Sequence, residues 1–172
     1  MDLRRLKPLD WLTGLFGAAL IGLLWAPWYQ EVRLGFSFGS SGRSIAAIFK
    51  DVNGWQAMAI NDVIFLIAGL AGIWVLVATA THSTSAVPIA AAVFATFAGL
   101  LASVLAVIRV IFPPDLGPGP TWRAAGVWLG MDAAIGLLLT AAASMRNERR
   151  GAGVNVPIRE VPAPPVGQGS SA

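Results

Sequence analysis

The chain contains no cysteine among its 172 residues, and it contains a single histidine. The absence of cysteine excludes disulfides, thiol catalysis and thiolate metal sites. The scarcity of histidine excludes a haem or metal site built on paired histidines within one chain. We expect His82 to be a solvated loop residue rather than a ligand, and we predict no bound cofactor.

Charged residues are also scarce. They make up 12% of the chain, against about 25% in soluble domains, while hydrophobic residues make up 56%. The net charge is +3, and the basic residues are scattered through short loops and tails instead of forming one patch. That scatter argues against nucleic acid as a partner. The composition favours lipid as the environment of the chain.

The sequence instead contains four long apolar runs. Each contains about 20 or more mostly apolar residues, enough to cross a hydrocarbon core of about 30 Å at about 1.5 Å per residue. We therefore predict an all-α membrane protein, a four-transmembrane-helix bundle within residues 9–146. The first run reaches Trp28 without a small-x-small cleavage site, which favours an uncleaved span over a signal peptide. The predicted spans cover about 9–28, 55–80, 87–112 and 122–145.

The positions of lysine and arginine predict the orientation. An even number of spans puts the N-terminal tail, 1–8, and the C-terminal tail, 147–172, on one side of the membrane. That side carries or adjoins seven basic residues, whereas the other side carries four. The positive-inside rule then places both termini in the cytoplasm. The basic residues on the side of the termini are Arg4, Arg5, Lys7, Arg146, Arg149, Arg150 and Arg159. Those on the opposite side are Arg33, Arg43, Lys50 and Arg123.

The segments outside the spans differ in character. In the outer loop, 29–54, apolar and small or polar residues alternate over Val32–Phe38, which predicts a short strand followed by a turn at residues 39–42. For Ser44–Val52 we predict one or two helical turns, with a semi-ordered connector as the alternative. The C-terminal tail, 147–172, is predicted to be disordered, because from Gly151 onward it is rich in proline, glycine and serine.

Small residues recur at four-residue spacing in every predicted span. Such rows let helix backbones approach closely in a bilayer, where close packing replaces the hydrophobic effect between helices. We interpret them as packing faces within one bundle, with a homo-oligomer face as the alternative. The rows are Gly14, Ala18, Gly22 and Ala26; Ala68 and Gly72; Ala91, Ala95, Gly99 and Ser103; and Gly126, Gly130 and Ala134.

Three ionisable residues fall inside the predicted spans more than two residues from either end, at positions 62, 109 and 132. Counting depth at about 1.5 Å per residue predicts an Asp62–Arg109 ion pair and an Asp132–Ser103 hydrogen bond. These groups either fix the packing of the helices or line a path for a proton, an ion or a small solute. We find no catalytic triad, metal-ligand spacing or phosphate-binding loop, so we predict no enzymatic activity.

An aromatic element lies where the first span is predicted to leave the membrane. It comprises Trp25, Pro27, Trp28 and Tyr29, and Trp55 begins the second span on the same side; indole rings prefer the headgroup level. With Gly54 before Trp55 and with Asn61-Asp62, this element resembles that of small four-span membrane proteins common in high-GC bacteria. Those proteins carry Leu-Pro-Trp-Tyr where this chain has Ala26-Pro27-Trp28-Tyr29. The resemblance covers roughly residues 2–146 and implies a topology and no activity.

Two functions are consistent with these features. The first is a multi-pass protein of the bacterial cell (inner) membrane with a structural, accessory or interaction role. Its predicted partners are membrane lipids and either further copies of the chain or other membrane proteins. The alternative is a small-solute, ion or proton transporter or channel that uses Asp62, Arg109 and Asp132.

Overall fold

The structure is a computed structural model in which helices and one small sheet alternate along the chain. It describes residues 6–39, 42–57, 60–81, 86–116 and 120–152. The helices are α1 (Pro8–Leu23), α2 (Gly54–Ala57), α3 (Ile60–Thr81), α4 (Ala86–Ile111) and α5 (Ala125–Ala152). The strands are β1 (Pro27–Gly39), β2 (Gly42–Asn53) and β3 (Thr121–Arg123).

Three of the described helices are long and apolar enough to cross a membrane: α3, α4 and the Ala125–Asn147 part of α5. The prediction of a largely helical chain with long apolar helices is thus confirmed for these three. The remaining long helix, α1, is apolar but has 16 residues. Around the bundle the neighbours are α1 and α3, α3 and α4, α4 and α5, and α5 and α1. Long helices that follow one another in the chain therefore pack side by side.

The core consists of two clusters. The larger one contains Trp28 and Tyr29 from β1 together with side chains from the four long helices, among them Leu20, Phe65 and Leu137. The smaller cluster lies among α3, α4 and α5 and is composed mostly of alanine. Because alanine is small, the helix axes can approach closely there, which strengthens van der Waals contact between the helices.

Small residues face the bundle interior in three of the four predicted rows. The rows of α3, α4 and α5 are buried throughout. In α1, however, Gly14 is buried whereas Ala18 and Gly22 are exposed, so the predicted row is wrong for this helix. The close approach of α1 uses Gly17 instead, where an added Cβ would lie 2.5 Å from the carbonyl oxygen of Gly69.

The first helix ends earlier than the apolar run predicts. α1 stops at Leu23 instead of continuing to Trp28, and the chain leaves it through a turn in which the amide of Ala26 donates to the carbonyl of Leu23 at 3.1 Å. Pro27 accounts for the change, because proline has no amide hydrogen and disfavours a helical residue before it. Three residues of the aromatic element, Pro27, Trp28 and Tyr29, therefore begin strand β1.

The prediction of an all-α protein is wrong, because an antiparallel sheet of order β2-β1-β3 follows α1. The predicted strand at Val32–Phe38 is confirmed as part of β1, but Ser44–Val52 forms strand β2 and not helical turns. Pairing runs from Pro27–Asn53 to Gly39–Gly42. A helix of one or two turns is marginal by itself, whereas this register gives the backbone a long antiparallel ladder.

The C-terminal end of the bundle also differs from the expectation. α5 continues to Ala152, so the first residues of the tail predicted as disordered are helical. Arginines at 146, 149 and 150 favour this extension, because basic residues near a helix C-terminus are stabilised by the helix dipole. Residues 153–172, the loop that carries His82, and the tip of the predicted turn at residues 40–41 lie outside the described residues.

Candidate functional site

The outer aromatic element divides into buried and exposed members. Trp28 and Tyr29 are fully buried, whereas Trp25 is 61% exposed and Pro27 is exposed. The indole Nε1 of Trp28 donates to the carbonyl of Leu23 at 2.6 Å, and its ring centroid lies 5.6 Å from that of Phe65. The side chain of Trp28 thus packs into the end of the bundle and attaches the start of β1 to it.

The exposed side chain of Trp25 packs against Trp55, the aromatic residue predicted at the start of the second span. Their ring centroids are 5.7 Å apart with an interplanar angle of 64°, an edge-to-face arrangement that aromatic pairs prefer. Trp55 lies in α2, and α3 begins at Ile60. Its buried Nε1 has no hydrogen-bond partner among the described residues.

Two side chains of the sheet bind the C-terminal end of α4. The phenol of Tyr29 donates to the carbonyl of Arg109 at 3.0 Å. Arg123 donates from Nε to the carbonyl of Val110 at 2.5 Å and from Nη2 to that of Ile111 at 3.2 Å. The last carbonyls of a helix have no partner within the helix. The sheet therefore caps α4 and is fixed to the bundle by these bonds.

Tyr29 keeps its proton in this setting. Burial raises the pKa of Tyr29 above its ordinary value of 10.0, against the smaller lowering effect of the positive charges on Arg109 and Arg123. Ionisation of a phenol is unfavourable where water is excluded. Near neutral pH the hydroxyl therefore remains a donor to the end of α4.

The side chain of Arg109 contacts α3 at Asn61. Its Nε and Nη2 both lie 3.0 Å from the Asn61 side-chain oxygen when the amide is oriented to accept from the guanidinium. Asp62, the next residue, is buried at 1% exposure, and its Oδ1 has no hydrogen-bond partner among the described residues. The structure thus brings Asp62 and Arg109 to the same end of the bundle, with Asn61 as the group that Arg109 contacts.

Asp132 and Ser103 are not brought together. The hydroxyl of buried Ser103 donates to the carbonyl of Gly99 in its own helix at 2.7 Å. Asp132 is exposed on the outer surface of α5, beside the buried pair Ala133 and Ala134. The predicted Asp132–Ser103 hydrogen bond is therefore not formed. Position along a helix carries no information on the rotation of that helix about its axis, and the rotation of α5 turns Asp132 away from the bundle interior.

A buried carboxylate at the opposite end of α1 was missed by the sequence reasoning. Asp10 is 1% exposed; its Oδ1 accepts a short hydrogen bond from the hydroxyl of Ser144 in α5, and its Oδ2 accepts from the amide of Lys7 at 3.0 Å. The available signal was its place in the first turn after Pro8, where an acid satisfies a free amide. Its link to Ser144 depends on the packing of α1 against α5.

Removing this carboxylate is expected to destabilise the bundle. Asp10→Ala leaves the hydroxyl of Ser144 buried without its acceptor and frees the amide of Lys7, which we expect to cost about 2–3 kcal/mol. Ser144→Ala is expected to cost less. Unfolding of both single variants and of the double variant in detergent measures the coupling between the two side chains. Additive effects would show that the pair contributes nothing beyond its separate members.

The described residues hold no group of three or more histidine, cysteine, aspartate or glutamate side chains placed to bind a metal ion. The described side chains offer hydrogen bonding and charge: a capped helix end with a buried carboxylate beside it, and a separate exposed carboxylate on α5. A comparison with models of known protein families found no match, and a comparison with curated proteins found none either.

Proposed function

We propose that this chain is a multi-pass protein of the bacterial cell (inner) membrane, and that it holds a β-sheet at the outer membrane surface for interaction with another protein. It crosses the membrane four times, with both termini in the cytoplasm. The observation that carries the proposal is the attachment of the sheet. Trp28, Tyr29 and Arg123 all join it to the end of a bundle whose long helices are apolar.

The fourth crossing is α1. Its 16 residues extend for about 24 Å at about 1.5 Å per residue, somewhat less than a hydrocarbon core of about 30 Å. Small mismatches of this kind are accommodated by local thinning and by flanking residues. Support comes from its packing against both α3 and α5 and from Trp11 and Trp25, exposed near its two ends in the manner of interfacial anchors.

Cysteine labelling tests this topology directly, because the chain has no cysteine of its own. We expect a membrane-impermeant maleimide to label Lys50→Cys in intact cells. Asp2→Cys and Asn147→Cys are expected to react only after the membrane is permeabilised. Labelling of Asp2→Cys in intact cells, with Asn147→Cys protected, would instead show three crossings.

The strands support an interaction role because their outer edges are open. β3 pairs with β1 at Tyr29–Glu31, whereas the β1–β2 pairing extends to Gly39 and Gly42. Over most of its length the hairpin is thus a two-stranded ribbon among the described residues. Exposed strand edges present unpaired backbone groups, to which a strand of another protein can add.

A photo-reactive residue in the hairpin tests for such a partner. Phe49 on β2 is 62% exposed, and Phe97 on α4, which serves as the control, is 68% exposed. We expect irradiation of cells carrying the probe at Phe49 to give a discrete protein adduct, and the probe at Phe97 to react with lipid. Identical adduct patterns at the two positions would contradict a partner specific to the sheet.

A transport path for a proton, an ion or a small solute is the second candidate function. Its support is the buried Asp62, whose Oδ1 has no hydrogen-bond partner in the described part of the chain. Asp132 lies on the outer surface of α5, away from that site. Proton flux or solute uptake in proteoliposomes that is lost in Asp62→Asn would favour transport over the interaction role.

A further inference from the structure

An open groove runs between α1 and α5 on the outside of the bundle. It has a volume of about 450 Å³. The α1 side contributes Phe16, Ala19 and Gly22, and the α5 side contributes Leu129 and Ala133. The walls are almost wholly apolar, and the small residues leave open space at their centre: a Cβ added to Gly22 would have no atom within 4 Å.

Asp132 is the residue of this lining with a polar side chain; because the wall itself is almost entirely carbon, its carboxylate borders the groove. The described residues offer it no hydrogen bond or ion pair, and no cationic side chain lines the groove. The residue lies about 10 Å along α5 from Ala125, at about 1.5 Å per residue, which is inside a half-core of about 15 Å. An ionised carboxylate at that depth is unfavourable unless a positive group accompanies it.

We propose that this groove binds a lipophilic organic cation, a molecule with an apolar body and one positive nitrogen or phosphorus centre, which enters from the lipid. The volume lies in the range of about 300–1,000 Å³ typical of small-molecule sites. The apolar walls take the body of the ligand, and Asp132 supplies the opposite charge. The ring of Phe16 in the same lining adds a surface that attracts cations.

The proposal is independent of the interaction role of the sheet. It uses residues of α1 and α5 and rests on the membrane crossings proposed above, whereas the sheet is attached through Trp28, Tyr29 and Arg123. The absence of a hairpin partner would leave the groove proposal standing. The absence of cation binding would likewise leave the interaction role unaffected.

Binding of tetraphenylphosphonium to the full chain in phosphatidylcholine nanodiscs tests the proposal. Tetraphenylborate has nearly the same size and shape with the opposite charge, and empty nanodiscs measure partition into lipid. We expect saturable binding of the cation above that background, and none of the anion. Because a charge-assisted contact is lost, Asp132→Asn is expected to weaken binding about tenfold or more, whereas Asp132→Glu retains it.

Two further variants separate the groove from a general effect of charge. Gly22→Leu keeps the carboxylate but fills the groove, so we expect it to weaken binding about as much as Asp132→Asn. Asp115→Asn makes the same chemical change at an exposed carboxylate outside the groove and is expected to leave binding unchanged. Thermal unfolding of each variant shows whether it is folded.

Three outcomes would overturn the proposal. One is equal cation binding by the unaltered chain and folded Asp132→Asn, and another is equal binding of the cation and the anion. The third is a disulfide-linked dimer of Gly22→Cys in native membranes, which would show a second copy of the chain seated in the groove in place of a small cation.

Discussion

Replacing Gly17 with leucine is expected to prevent α1 from packing against α3, at a cost of about 3 kcal/mol or more, the upper end of what overpacking costs. An added Cβ at this position would lie 2.5 Å from the carbonyl oxygen of Gly69 and 3.1 Å from the Cα of Gly72. Both neighbours are backbone atoms and cannot rotate away as a side chain can. The two helices must therefore move apart, which removes contact along the whole crossing.

Gly22→Leu is the matched control for this prediction. It makes the same substitution in the same helix, at an exposed position where an added Cβ meets no atom within 4 Å. Thermal unfolding in a mild detergent is expected to show a large fall in Tm for Gly17→Leu and little change for Gly22→Leu. Equal Tm values would mean that the α1–α3 contact is not the close crossing described above.

Truncating Trp28 to alanine is expected to cost about 3–5 kcal/mol, the range found when a large buried aromatic side chain is removed. The indole is fully buried, contacts Phe65, and donates to the carbonyl of Leu23. It also covers Gly130, where an added Cβ would lie 2.5 Å from the Cη2 of Trp28. Its loss leaves a cavity where the sheet meets the bundle.

Trp25→Ala provides the comparison for Trp28→Ala. Trp25 is 61% exposed, and its described ring contact is with Trp55. We expect the Tm of Trp25→Ala to lie near that of the unaltered protein. Limited proteolysis supplies a second measurement, since the outer loop is expected to be cut faster in Trp28→Ala. Similar proteolysis and Tm for the two variants would show that Trp28 does not anchor the sheet.

The long helices follow closely from the sequence. The predicted span at 87–112 corresponds to α4 at Ala86–Ile111, and the predicted span at 55–80 contains most of α3. Runs of this length and hydropathy leave the backbone few options in lipid, because a helix satisfies its own hydrogen bonds. Local composition is therefore enough to place these elements.

The sheet did not follow from the sequence as directly. The alternation in Val32–Phe38 indicated a strand, but residues 44–52 also allowed a short amphipathic helix. Whether this segment forms a strand or a helix depends on β1, which pairs with residues 42–53 on one side and with Thr121–Arg123 on the other. The second pairing joins parts of the chain far apart in sequence, so no local pattern reveals it.

The candidate site likewise contains some features that the sequence predicted and others that it did not. The sequence singled out Asp62 and Arg109 as intramembrane charges, and the structure places both at the end of the bundle to which the sheet is attached. The sequence did not identify Asn61 as the contact of Arg109 or Ser144 as the contact of Asp10. Short side chains such as these become partners only when two helices are packed in one orientation.

The amino-acid sequence by itself determined that this chain has long apolar helices. Only the tertiary structure decided which face of each helix points inward, that Gly17 and not Ala18 meets α3, and that Asp132 faces outward. The reason is that lipid is as apolar as a protein core. A helix apolar on every side carries no periodic hydropathy signal for its buried face, so close packing alone sets its rotation.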